Sequence, residues 1–123
     1  MNSKTGLLLV GHGTRSAAGT TQFLALAERI RKSAGGQPVV EPAFLELQQP
    51  DIDTAVGKLV DQGIERLVTM PLLLFAAGHA KKDVPDAVMA ALGRRGHTDI
   101  RPIQAGNKNG RVVSDPAVTQ TLL

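Results

Sequence analysis

Apolar positions fall into two alternating rhythms along this chain of 123 residues. Gly6–Val10 is a short run, almost wholly apolar, as expected of a strand buried on both faces. Phe23, Ala27, Ile30 and Ala34 then recur at helical spacing and trace an amphipathic stripe, stopped by Gly35 and Gly36. Val39–Leu45 returns to strand character. Pro42 within it predicts an edge position, because proline cannot donate to a ladder. Pro50 and Asp51 open a second helix, since proline suits a first turn and a carboxylate suits the positive end of the helix dipole. Ile52, Val56, Leu59 and Val60 form its buried stripe, and Gly63 ends it. Arg66–Leu74 contains a third strand. Val84, Val88, Ala91 and Leu92 mark a third helix, closed by Gly96, and Asp99–Gln104 is a fourth strand. Ala105–Ser114 is polar and glycine-containing, so it reads as a loop, and Asp115-Pro116 starts a last short helix that runs to Leu123.

Strands alternating with helices imply right-handed crossovers. The predicted fold is therefore α/β: a small open parallel four-stranded sheet in the order 2-1-3-4, with helices on both faces. No linker, low-complexity segment or internal repeat interrupts residues 1–123, which read as one domain. The end inside a helix leaves two expectations, a compact short form or one half of something longer.

Composition narrows the function classes. Apolar residues make up 42% and charged residues 20%, as in a soluble globular domain. Aromatics are limited to Phe23, Phe44 and Phe75, so the core is aliphatic, and a base-stacking platform for nucleic acid is not expected. The formal charge of +3 is compatible with an anionic ligand and equally with simple solubility. Without cysteine there is no disulfide, thiolate metal site or cysteine nucleophile. The run Leu7–Val10 is too short for a signal-peptide core or a membrane span, so no membrane association and a cytoplasmic location are expected.

The candidate chemistry lies where the apolar runs end. "LLLVGHGTRSAAG" (7–19) carries a first strand into His12 between Gly11 and Gly13, and "PLLLFAAGHAKKDVP" (71–85) carries a third strand toward Gly78 and His79. In the order 2-1-3-4, strands 1 and 3 are neighbours at the strand-order reversal, where open α/β sheets bind ligands beyond their carboxyl ends. Both histidines then share one rim, and Glu46, after the second strand, can face the same space. Two imidazoles and a carboxylate suit a divalent ion such as cobalt, nickel, iron or zinc, and an imidazole also takes protons near neutrality. The flanking glycines Gly11, Gly13 and Gly78 permit tight turns and the close approach of a flat ligand. The residues alone leave another reading open: His12 as a turn residue bonded locally, and His79 as a helix cap. His97 reads as a solvated turn residue. The segment after His12 precedes a helix and could attract an anion, yet neither phosphate-loop nor dinucleotide-binding spacing is present, so no nucleotide is expected. Ser16 lacks a hydrolase elbow, and Gly11 stands where a histidine phosphatase would have arginine. Arg15, Lys81 and Lys82 are candidates for ligand carboxylates or plain solvated charges.

Together, "LLLVGHGTRSAAG", "EPAFLELQQPDIDTAV" and "VTMPLLLFAAGHAKKDVPDAV" resemble the sirohydrochlorin chelatases, from about Leu7 to Ala91. The resemblance implies ATP-independent insertion of cobalt, iron or nickel, as a substrate ion, into a sirohydrochlorin-type tetrapyrrole in cobalamin or siroheme biosynthesis. It implies His12 and His79 as the metal-binding and proton-accepting pair, with Glu46 a third member. Thr14 stands where the family more often has serine. Thr14, Arg15, Gly78 and Lys81 would line the macrocycle. Short members of the family pair as homodimers and long members carry two halves, so a second half is the expected partner. The other class of function is an isolated half-domain that only binds metal or tetrapyrrole. After Gln104 the family pattern blurs.

Overall fold

A computed structural model describes residues 4–72, 80–100 and 102–104. The elements are β1 (Thr5–Gly11), α1 (Ala17–Ala34), β2 (Val39–Phe44), α2 (Ile52–Asp61), β3 (Arg66–Pro71), α3 (Ala80–Arg94) and β4 (Pro102–Gln104). All strand pairs are parallel and the order is β2-β1-β3-β4, as the sequence predicts. The helix expected at 115–123 and the loop before it lie outside the described residues.

β1 is central and wholly buried, with Leu8 and Val10 facing one side of the sheet and Leu7 and Leu9 the other. This alternation sorts the helices. Leu7, Leu9, Val40 and Val68 meet α1 through Phe23, Ala27, Ile30 and Ala34. Leu8, Val10 and Ala43 meet α2 through Ile52, Ala55, Val56 and Leu59, and α3 through Val84, Val88, Ala91 and Leu92. The continuous apolar run of β1 follows from having a helix layer on each side.

Pro42 lies opposite Leu9 on β2, which pairs with β1 alone and is an edge strand as expected. Arg31 of α1 donates to the Val40 carbonyl at 2.9 Å from Nη2 and 3.1 Å from Nε, tying this edge to the helix beside it. Several predicted boundaries shift; the fourth strand, for one, begins at Pro102 and not at Asp99, which lies in a turn. Pro50 does not enter the helix, because Asp51 is the N-cap and its carboxylate accepts from Thr54 N–H at 2.8 Å. β2 ends at Phe44, one residue short of the predicted Leu45, although Leu45 N–H still donates to Gly11 O at 2.8 Å. Hydrogen bonding to Thr54 holds the Asp51 carboxyl below its ordinary value. His97 is half-buried rather than solvated, and its N–H closes the end of α3 on the Leu92 carbonyl at 2.9 Å.

Helices α2 and α3 are also tied by charge. Asp53 accepts from Arg95 Nη1 at 2.9 Å and from Arg94 Nη2 at 2.6 Å. Arg95, which also donates to the Ala91 carbonyl, lies across Gly57, where a Cβ would come within 2.7 Å of its guanidinium. Hydrogen bonds from Arg95 and then Arg94 hold the Asp53 carboxyl far below the ordinary value of 3.8. A carboxyl held low in the folded state contributes stability above its unfolded value and loses it as pH falls through the folded one. Asp53→Asn is therefore expected to lower the melting temperature near neutral pH. The gap from wild type should narrow below about pH 4 and close only in strong acid. Thermal melts across that range check this, and a constant gap would contradict it.

Candidate functional site

The site grows from the end of β1. The backbone pairing of β1 with β2 continues past both strands: Leu45 N–H donates to Gly11 O at 2.8 Å and Glu46 N–H to His12 O at 3.1 Å. These bonds bring the segment after β2 alongside the segment after β1. His12 Nε2 lies 2.9 Å from Glu46 Oε1. Both side chains are open to solvent, 45% and 56% exposed respectively. An ionised carboxylate only accepts, so the ring nitrogen facing it carries a hydrogen, and in a neutral imidazole Nδ1 then keeps the free lone pair.

The glycines beside His12 admit close contacts within the protein itself. A Cβ on Gly11 would stand 3.0 Å from the Phe23 ring, which lies over the strand end from α1. Phe23 in turn meets Phe44 with ring centroids 5.0 Å apart, so two of the chain's three aromatics meet at the end of β1, beside Gly11. Gly13 has φ 104°, and a Cβ there would fall 1.8 Å from the Glu46 carbonyl oxygen. Only glycine lets the two loops touch at this point.

Two further clips hold the loops. Gln48 Nε2 donates to Thr14 O at 2.7 Å, and Ser16 N–H donates to Thr14 Oγ1 at 3.1 Å. Ser16 is the N-cap of α1, its Oγ accepting from Gly19 N–H at 3.1 Å. Thr14 is thus partly committed to loop structure, while Arg15 is exposed. Sequence reasoning missed Gln48 and the cap. The cap was detectable as a serine immediately before a helical stripe, whereas nothing local announces that Gln48 reaches back to Thr14.

On the other side of β1, Leu72 N–H donates to Val10 O at 2.7 Å, so the chain leaves β3 at the same rim. Gly78 and His79 belong to residues 73–79, outside the described residues, and the side chain of Lys81 is likewise outside them. Among the described residues no three His, Asp or Glu side chains converge as a metal cage. His12 and Glu46 form a pair.

Sheet order, the sorting of helices and the histidine–carboxylate pair at the reversal of strand order define a chelatase-like α/β unit. The chain belongs to the CbiX family, whose sequence profile matches residues 6–108 and so includes His12, Glu46 and His79. It is 38% identical over 91 residues to a sirohydrochlorin ferrochelatase from Bacillus subtilis, a match covering 74% of this chain and 34% of the relative. It is 38% identical over 81 residues to a sirohydrochlorin cobaltochelatase from Sulfolobus acidocaldarius, covering 66% of this chain and 63% of the relative. The chain thus spans about a third of the first of these relatives and under two thirds of the second. The crystal structure of the sirohydrochlorin chelatase SirB from Bacillus subtilis in complex with cobalt matches 80% of this chain and 42% of that one. Its TM-score is 0.69, at 37% identity. A CbiX protein from Marinobacter aquaeolei VT8 matches 85% of each chain with TM-score 0.64 at 30% identity.

The contact of Gly13 with the Glu46 carbonyl makes a direct prediction. Gly13→Ala should destabilise the fold by on the order of 1–3 kcal/mol, through steric overlap and a left-handed backbone. It should also separate His12 from Glu46. Urea unfolding measures the first effect. A crystal structure of the variant reads the second, as a His12 Nε2–Glu46 Oε1 separation beyond hydrogen-bond range.

Proposed function

We propose that this chain inserts a divalent metal ion into sirohydrochlorin without ATP, with cobalt the first choice and iron next. The observation that carries this reading is the His12–Glu46 pair at the carboxyl rim, in a chain with a CbiX match over residues 6–108. Relatives named for cobalt and for iron both support metal insertion and leave the choice between these ions to experiment. Nickel belongs in the same test, because imidazole and carboxylate donors do not separate these ions.

Insertion exchanges one divalent ion for the pyrrole N–H protons, so the site must both present metal and take protons. One nitrogen cannot do both at once. With Nε2–H on Glu46, His12 Nδ1 is free to hold the incoming ion or to accept a pyrrole proton. Glu46 stabilises the imidazolium that proton transfer would create. His79, placed by chain order between Leu72 at the rim and Ala80 at the start of α3, is assigned the complementary role. Arg15, and Lys81 at the start of α3, would pair with the acidic periphery of the macrocycle, and Thr14 and Gly78 would border it.

A second copy or second half is proposed to close the cleft, since the chain spans about a third of the Bacillus subtilis ferrochelatase. The same observation favours, as the second reading, a half-domain that only binds metal or tetrapyrrole. Among the described residues no helix is long and apolar enough to cross a membrane, and a cytoplasmic location is proposed.

Incubation with sirohydrochlorin and cobalt, iron or nickel, followed by visible absorption, tests the reading. Wild type should accelerate insertion above the spontaneous rate. His12→Ala should reduce the enzymatic rate by on the order of 10²-fold, and Glu46→Gln by about tenfold. Binding of the macrocycle without insertion would support the second reading. Unchanged rates in both variants would remove the pair from the chemistry.

A further inference from the structure

Leu47, next to Glu46, combines two features that folding does not explain. Its φ is 69°, and it is the sole non-glycine residue with positive φ among the described residues. It is also an apolar side chain left 53% exposed. Gln48 N–H donates to Glu46 O at 2.8 Å, closing a three-residue turn around Leu47. A bond from i+2 to i about a centre of positive φ is the rare, high-energy form of the γ-turn. Leucine has no polar group to offset a left-handed backbone, as asparagine or aspartate has. Glycine would fit the turn without strain, and a polar residue would suit the exposure.

The turn is held against the functional pair from both sides. Glu46 is bound to His12 through its N–H at 3.1 Å and its carboxylate at 2.9 Å. Gln48 is bound through its side chain to Thr14 O at 2.7 Å. Leu47 is the apex between these anchors. Strain retained in a non-glycine residue tends to cluster at ligand sites, where the surrounding structure enforces it.

We infer that Leu47 is a positioning residue that packs against the flat face of the tetrapyrrole. This rests on the function proposed above. The macrocycle offers an apolar face inside an acidic rim. A branched aliphatic side chain can bury that face without competing for metal or protons, while the adjoining histidine and carboxylate act at the ring centre.

The test is binding of metal-free sirohydrochlorin, followed by optical titration, to wild type, Leu47→Gly and Leu47→Met. Leu47→Gly should weaken binding about tenfold, the loss expected from removing one leucine contact. KM for the macrocycle should rise by a similar factor with kcat changed less, and the melting temperature should hold or rise. Leu47→Met, which keeps an apolar side chain of similar volume, should bind within about twofold of wild type. Equal binding by wild type and Leu47→Gly overturns the inference, as does a fall in melting temperature that accounts for the lost affinity. Wild type that binds and shows the Leu47 effect without inserting metal upholds this inference and overturns insertion. Wild type that does not bind the macrocycle overturns both.

Discussion

The close contact between the loops after β1 and β2 is the constraint on which the rest depends. Two backbone bonds extend the parallel pairing beyond the strands, and Gly13 admits the Glu46 carbonyl into the space a side chain would fill. Without that approach His12 and Glu46 would be exposed residues on separate loops, each free to sample rotamers. With it, a hydrogen bond between two solvent-exposed side chains becomes a defined geometry, because the backbones have already met the ordering cost.

The support beneath this contact comes from the same few residues. β1 is buried on both faces, so it cannot shift register without moving leucines from one helix layer to the other. At its end the bulk that usually fixes a strand is missing, since Gly11 has no side chain. Phe23 from α1 fills that space and packs on Phe44 of β2. In a chain with so few aromatics, placing two here stiffens the strand end before His12 from three elements at once. The ion-paired cluster of Asp53, Arg94 and Arg95 adds a charged tie to the apolar packing of α2 on α3. It contributes to the layer on the opposite face of the sheet from α1.

Much of this was legible in the sequence, for physical reasons. Periodicities near two and near 3.6 separate strands from helices because buried faces repeat with backbone geometry. Pro42 revealed the edge strand because a missing N–H is tolerated only where no partner needs it. Strand order then turned distant positions into neighbours, and the meeting of His12 with Glu46 follows from that order. The purpose of the glycines was not legible. Gly11 and Gly13 read as room for a ligand, whereas the room is taken by Phe23 and by the Glu46 carbonyl, contacts between residues far apart in the chain. The strain at Leu47 was hidden for a related reason. Nothing in the residues after Leu45 marks the turn, and only the hydrogen bond from Gln48 to Glu46 shows how tightly the chain reverses there. The offset of Pro50 from the helix start is a boundary effect, since proline and aspartate both favour the first turn and only the cap bond separates them.

The exposure of the pair carries the last step. A metal held as permanent structure is enclosed, with its ligands buried and its coordination filled by the protein. A metal that is cargo must arrive hydrated, lose water stepwise and leave into a second ligand set that binds it more tightly. Such a site needs few protein donors, an open approach and a ready proton acceptor. Under the proposed function, His12 and Glu46, each about half exposed and already joined by a hydrogen bond, would suit such a site. The rigidity lies in the backbone contact at Gly13 and the aromatic pair beside Gly11, leaving the two side chains free to exchange partners. That division, a fixed base carrying a loosely committed donor pair, would suit the proposed transfer chemistry.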